Sequence, residues 1–214
     1  MHALVVVANP DPRSLTHAVA RRIAAGVAEG GPANTYEIAD LFTEGFDPRF
    51  TANDLAVHLE LAQPTRDVLA EQARIDRADA LVLVYPVYWW SMPGLLKGWI
   101  DRVFTRGWAY DYGLESGVVK KLTGRAVHLV GIGGSDAGTF QRHGYAGAMK
   151  TQIDHGIFDY CGARVATSEL LLDAHTGDPA AHLETAHRIG REIVAAIDRR
   201  VDESGTVASG TVAA

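Results

Sequence analysis

The sequence predicts an α/β fold, an open twisted five-stranded parallel sheet with helices on both faces. Three observations predict it. Short apolar runs at residues 3–8, 80–85 and 126–131 are continuous rather than alternating, as in parallel strands covered on both sides. Between the runs lie stretches with apolar residues at helical spacing. Gly, Pro and Asn punctuate the junctions. Strands alternating with helices imply right-handed crossovers, hence a parallel sheet between two helical layers.

The elements follow in order. Residues 3–8 form the first strand, and the turn Asn9-Pro10-Asp11-Pro12-Arg13-Ser14 leads into a helix carrying Leu15, Val19, Ile23 and Val27 on one face. Gly30, Gly31 and Pro32 end it. Residues 35–39 are the second strand. A long connection follows, with few regular signals over 40–63 and a helix over 65–77; long irregular stretches in compact domains are usually functional. The third strand, 80–85, runs into an aromatic loop and a Pro-started amphipathic helix. The fourth and fifth strands are 126–131 and 164–171, and helices span 146–160 and 180–200. Residues 1–201 read as one domain. The tail, 202–214, is small, polar and Gly-containing, the composition of a disordered terminus.

The chain of 214 residues is long enough for one well-buried core. Its formal charge of −6, with no basic block, argues against a nucleic-acid or anionic-membrane surface. Cys161 is the one cysteine, so no internal disulfide forms, which suits a reducing compartment. No run approaches the roughly 20 apolar residues of a membrane span. The apolar start, residues 1–8, lacks the basic segment of a signal peptide. The expectation is a soluble cytoplasmic protein without membrane insertion.

Three segments can carry chemistry. The first β–α turn places Arg13, Ser14, Leu15 and Thr16 at a helix start, where free N–H groups and the helix dipole favour an anion. Ser14 is equally an N-cap. The second segment is Pro86-Val87-Tyr88-Trp89-Trp90. Large rings at the carboxyl end of a buried strand suit a flat aromatic ligand, and ligands of open parallel sheets bind at that end. Core packing or an oligomer interface would also use two tryptophans. The third is Gly131-Ile132-Gly133-Gly134, which lacks the spacing of a dinucleotide fingerprint but lets backbone approach a flat ring closely. A plain turn fits it too. Lys97, Asp101 and Arg102 read as a paired helix face. There is no P-loop and no His-Glu-x-x-His; His182 and His187, five apart, are poorly spaced for a metal. Cys161 reads as a small packed hydrophobe.

The segment from Val84 to Arg102, with Pro86, Trp89, Pro93, Leu96, Lys97, Gly98, Trp99, Asp101 and Arg102 in place, resembles the flavin-binding loop of the flavodoxin-like NAD(P)H:quinone oxidoreductases, the DT-diaphorase family. The similarity runs from the first strand to about Leu171 and includes Asp47-Pro48 and Glu71-Gln72. It implies a flavodoxin-like sheet and two-electron reduction of quinones, or similar electron-poor aromatics, by NADH or NADPH. Hydride would pass through flavin N5 in a ping-pong sequence.

The resemblance also implies site residues. A flavin phosphate would sit at Asn9, Arg13, Ser14, Leu15 and Thr16, with Asn9 standing where relatives carry histidine. The isoalloxazine edge would follow Pro86, Val87, Tyr88, Trp89 and Trp90, and meet Gly131, Ile132, Gly133 and Gly134. Trp89, Trp90, Gly133 and Gly134 would border substrate. Tyr110 and Tyr112 would reach substrate across a homodimer interface, although alternate tyrosines also suit a strand edge. The place of the relatives' proton-relay histidine falls on Tyr145 counting forward from the glycines, and on His143 counting back from Cys161-Gly162. Asp101 and the long loop resemble the FAD-using members, with FMN the alternative. A flavin-containing ancillary subunit of a potassium-efflux system is the rival reading.

Overall fold

The structure, a computed structural model, describes residues 1–175 and 177–209. In chain order the elements are β1 (His2–Val7), α1 (Leu15–Glu29), β2 (Thr35–Asp40), α2 (Ala52–His58), α3 (Arg66–Arg77), β3 (Ala80–Pro86), α4 (Gly94–Val103), β4 (Tyr110–Gly113), β5 (Gly117–Lys120), β6 (Ala126–Ile132), α5 (Ala137–His143), α6 (Tyr145–Met149), β7 (Arg164–Leu171) and α7 (Pro179–Ser209). Five strands form one parallel sheet in the order β2-β1-β3-β6-β7. This is the predicted sheet. The order places the carboxyl ends of β1, β3 and β6 side by side, so their loops share one edge.

Side chains alternate across the pleat. Leu4, Val6, Leu81, Leu83, Tyr85, Val127 and Leu129 face a layer holding Ile75, Leu96, Trp99, Val103, Ile153 and Phe158. Val5, Val7, Val82, Val84 and Val130 face α1 and α7 through Val19, Ile23, Ile189 and Ile193. Two glycines let α1 and α7 approach backbone to backbone. A Cβ on Gly26 would lie 2.3 Å from the His187 carbonyl, and one on Gly190 2.2 Å from that of Ile23.

The long connection is more ordered than its sequence suggests. Thr51 and Asp54 cap α2 reciprocally, the Thr51 hydroxyl receiving the Asp54 N–H and the Asp54 carboxylate the Thr51 N–H. Arg102 of α4, 5% exposed, reaches Asp54, Asp67, the Thr65 hydroxyl and the Asp47 carbonyl. Pro48 packs directly on Gly98, where a Cβ would sit 2.2 Å from the Pro48 carbonyl. Trp99 Nε1 donates to Glu71, and Gln72 donates to the Val103 carbonyl and to Thr105. The motif residues Asp47-Pro48, Glu71-Gln72, Gly98-Trp99 and Arg102 therefore form one clamp that fixes the connection to α4.

Elsewhere the boundaries differ. The expected helix over 146–160 is α6 continued by wider, π-type turns over Lys150–Asp159. α5 and the β4–β5 hairpin are additional. α7 runs on to Ser209, into the stretch expected to be a disordered tail, and 210–214 lie outside the described residues. Among the described residues no helix is long and apolar enough to cross a membrane.

Candidate functional site

The first β–α turn is built by its own side chains. Asn9 Oδ1 accepts the Asp11 N–H at 2.9 Å and Asn9 Nδ2 donates to Thr16 Oγ1 at 3.0 Å, so both ends of Asn9 shape the turn. The Asp11 carboxylate accepts the Arg13 N–H, which holds its pKa below the usual range. Ser14 caps α1, accepting the His17 N–H. The N–H groups of Leu15 and Thr16, in the first turn, have no carbonyl of the same helix to bond. Arg13 reaches outward, its side chain 90% exposed. Behind the cap lies a chain the sequence reading did not find. Ser14 Oγ is 3.0 Å from His17 Nδ1, and His17 Nε2 is 2.9 Å from the Asp40 carboxylate at the end of β2. Burial alone would raise the Asp40 pKa, but hydrogen bonds from His17 and Thr43 hold it below the ordinary value.

The aromatic loop is a two-residue hairpin turn. Tyr88 and Ser91 exchange both backbone hydrogen bonds, at 3.1 and 3.0 Å, and Trp89 and Trp90 occupy the corner with φ of +51° and +58°. Such turns normally carry Asn and Gly, because left-handed backbone crowds a Cβ. Here two bulky rings are held in it. Trp89 is 94% exposed. Trp90 turns inward, stacks on Tyr145 at 3.7 Å between centroids, and meets Phe140 edge-on. Tyr145 also stacks on His143, so both relay candidates join the same aromatic column behind Trp90.

The glycine segment sits beside this turn. Val87 N–H donates to the Ile132 carbonyl at 2.8 Å and ties the two loops together. Gly131 and Ile132 lie within β6, and a Cβ on Gly131 would press on Leu170 and Val87. Gly131 thus serves packing. Gly133 donates its N–H to Leu171, so of the glycine pair only the Gly134 N–H stands outside the backbone pairing of the sheet edge. The ring of His175, which the sequence reading passed over, covers Gly134. A cavity of about 420 Å³ opens between the loops, lined by Val87, Tyr88, Trp89, Trp90, Gly133 and Gly134 and closed by Phe140 and His175.

Three expected residues lie elsewhere. Tyr110 bonds His58 through its hydroxyl at 3.2 Å and packs against Tyr160. Asp101 pairs with Lys97 at 2.6 Å and lines a second, apolar cavity of about 500 Å³ with Phe50, Leu55, His58 and Tyr160. Tyr112 is exposed on the hairpin. Within one subunit none of the three lines the Trp89–Trp90 cavity. Among the described residues no cluster could hold a metal ion.

Residues 1–193 match the model of the flavodoxin-like fold family. A Haemophilus influenzae protein named "Uncharacterized NAD(P)H oxidoreductase" is 30% identical over 189 residues, 85% of this chain and 88% of that protein. The mouse (Mus musculus) "Ribosyldihydronicotinamide dehydrogenase [quinone]" is 28% identical over 188 residues, 78% of this chain and 79% of the other. Among solved structures, the NAD(P)H:quinone oxidoreductase from Methanothermobacter marburgensis superposes with a TM-score of 0.82 at 28% identity, covering 90% of this chain and 96% of that one.

Proposed function

The chain belongs to the flavodoxin-like fold family, and from that premise we propose that it is a cytoplasmic NAD(P)H:quinone oxidoreductase working with a bound flavin. One observation carries the reading: a helix start with free N–H groups, a strained aromatic turn and a glycine segment share the carboxyl edge of the sheet, and a cavity sized for a flat ring system opens between the turn and the glycines. The residues fit a flavin. The N–H groups of Leu15 and Thr16, the Ser14 hydroxyl and Arg13 offer donors and charge to a phosphate. The Pro86–Trp90 backbone offers an edge, and the Gly134 N–H, outside the pairing of the sheet edge, offers a donor.

When bound, the flavin supplies two-electron hydride chemistry, and the protein supplies orientation and electrostatics. Trp90, braced by Tyr145 and Phe140, forms a rigid wall, while Trp89 borders the entry. One cavity serving donor and acceptor in turn gives ping-pong kinetics. The cavity is open on the Trp89 side. Exposed Tyr112 and the apolar patch of Phe50, Leu55 and Tyr160 support closure by a second copy of the chain, hence a homodimer. FAD is favoured over FMN, on the long clamped connection and on Asp101 at the rim of a second cavity.

The test is an absorbance spectrum of purified protein followed by anaerobic titration with NADPH and reoxidation by a simple quinone. A yellow chromophore that bleaches and returns is expected, and mass analysis of the released flavin separates FAD from FMN. Protein that takes up neither flavin and oxidises no NAD(P)H refutes the reading.

A further inference from the structure

With His17 neutral, the hydrogen bonds behind Ser14 balance in one way only. The Asp40 carboxylate, also bonded by the Thr43 hydroxyl at 2.8 Å, only accepts. His17 Nε2, 2.9 Å away, therefore carries a proton. In the neutral imidazole Nδ1 is then a bare acceptor, and the contact at 3.0 Å must be a bond donated by Ser14 Oγ–H. Ser14 has a single proton. With that proton on His17, and with the His17 N–H arriving at its oxygen, Ser14 presents only lone pairs to an anion at the start of α1.

A second arrangement satisfies every atom once a phosphate is present. If His17 takes a solvent proton on Nδ1, that N–H donates to Ser14 Oγ, and the hydroxyl hydrogen swings out to the phosphate. Ser14 then accepts two bonds and donates one, and the imidazolium lies between the Asp40 carboxylate and the bound anion. The charged groups facing His17 are Asp40 from β2 and Asp11 across the turn, with Arg13 paired to Asp11. His17 is 5% exposed, so its charge acts with little screening by water.

We propose that His17, held by Asp40, is a positioning residue that couples binding of the flavin phosphate to uptake of one proton. The inference rests on the flavin reading above and adds that the phosphate affinity of this protein depends on pH through His17.

The test is calorimetric titration of the flavin-stripped full chain with FMN and with riboflavin, in buffers of different ionisation enthalpy. Above about pH 7 a phosphate monoester, with second pKa about 6, is already ionised and gives up no proton itself. Uptake approaching one proton per FMN is expected, and none with riboflavin. In His17→Gln, which retains polar contacts but cannot titrate, the proton disappears. FMN then binds about tenfold more weakly, the loss of one charge-assisted hydrogen bond, while riboflavin affinity is unchanged. Asp40→Asn should diminish the uptake in the same sense. FMN binding without proton exchange in the unmodified protein, or an undiminished proton in His17→Gln, overturns the inference and leaves the flavin reading standing. Failure to take up any flavin overturns that reading and this inference with it.

Discussion

Trp89 offers a substitution that should raise stability and lower activity together. Its φ of +51° places a bulky side chain in the left-handed region, at roughly 1–2 kcal/mol. The ring is 94% exposed, so little packing offsets that strain. Asn is the residue this corner of a two-residue hairpin prefers. Trp89→Asn should thus recover about 1 kcal/mol, which for a domain of this size raises Tm by roughly 2–4 °C. Trp89→Ala removes the same ring but keeps a Cβ with no special tolerance for the conformation, so its Tm should stay near that of the unmodified protein. Both variants should reduce quinone turnover per bound flavin, because both remove the ring at the cavity mouth. Thermal melts, flavin content and turnover on the three proteins separate the effects. If Trp89→Asn melts at or below the parent temperature, the turn stores no strain. Full turnover in both variants would show that the ring does not border the acceptor.

Three further outcomes follow from the clamp and the core. Arg102→Met should cost about 3 kcal/mol, seen as a lower urea midpoint at unchanged slope, because it strands the buried Asp54 carboxylate; adding Asp54→Asn should recover part of it. Gly98→Ala should cost about 1–3 kcal/mol through the clash with Pro48, whereas Gly94→Ala, four residues earlier in open space, should be close to neutral in the same denaturation assay. Burial pushes the Cys161 thiol up to about 11. A folded-state pKa above the unfolded value of about 8.5 gives a contribution complete below that pH and lost as pH rises toward 11. Denaturation midpoints measured from pH 8 to 10 should therefore fall more steeply in the parent than in Cys161→Ala.

The sheet was legible chiefly because β1, β3 and β6 are buried on both faces and so write continuous apolar runs, whereas the edge strands β2 and β7 are half-exposed and mixed in polarity. α2 and α5 were not, since seven residues are too few to display a helical period. The capping pattern Thr51-x-x-Asp54 was the readable sign of α2. The Ser14–His17–Asp40 chain escaped for a different reason. His17 looks like helix filler until β2 pairs beside β1 and brings Asp40, 23 residues away, to its ring. The sequence placed Trp89 and Trp90 at the right sheet edge, but propensity gives no hint of two aromatic residues in left-handed backbone. His143 and Tyr145, rivals under two ways of counting, are neighbours in one stack because the αL residue Gly144 turns the chain between them.

That strained turn explains why so much of the recognisable motif lies away from the cavity. Two consecutive left-handed residues cost about 2–4 kcal/mol together, and such backbone persists only where its surroundings over-determine it. On the amino side the turn is anchored by β3 and by the Val87–Ile132 hydrogen bond. On the carboxyl side Ser91 donates to Gln152, and Pro93 starts α4 two residues later. α4 in turn is held by Gly98 on Pro48, by Trp99 on Glu71 and by Arg102 on four partners from the long connection. From the third side Tyr145 and Phe140 fix Trp90. Loosening the clamp at Arg102 should therefore relax the Trp89–Trp90 turn before it unfolds the sheet. An Arg102→Met protein still folded at low temperature should show altered tryptophan fluorescence and weakened flavin binding while its far-ultraviolet dichroism stays native. Unchanged fluorescence and flavin affinity in that folded variant would mean that the turn is held by β3 and the aromatic stack alone.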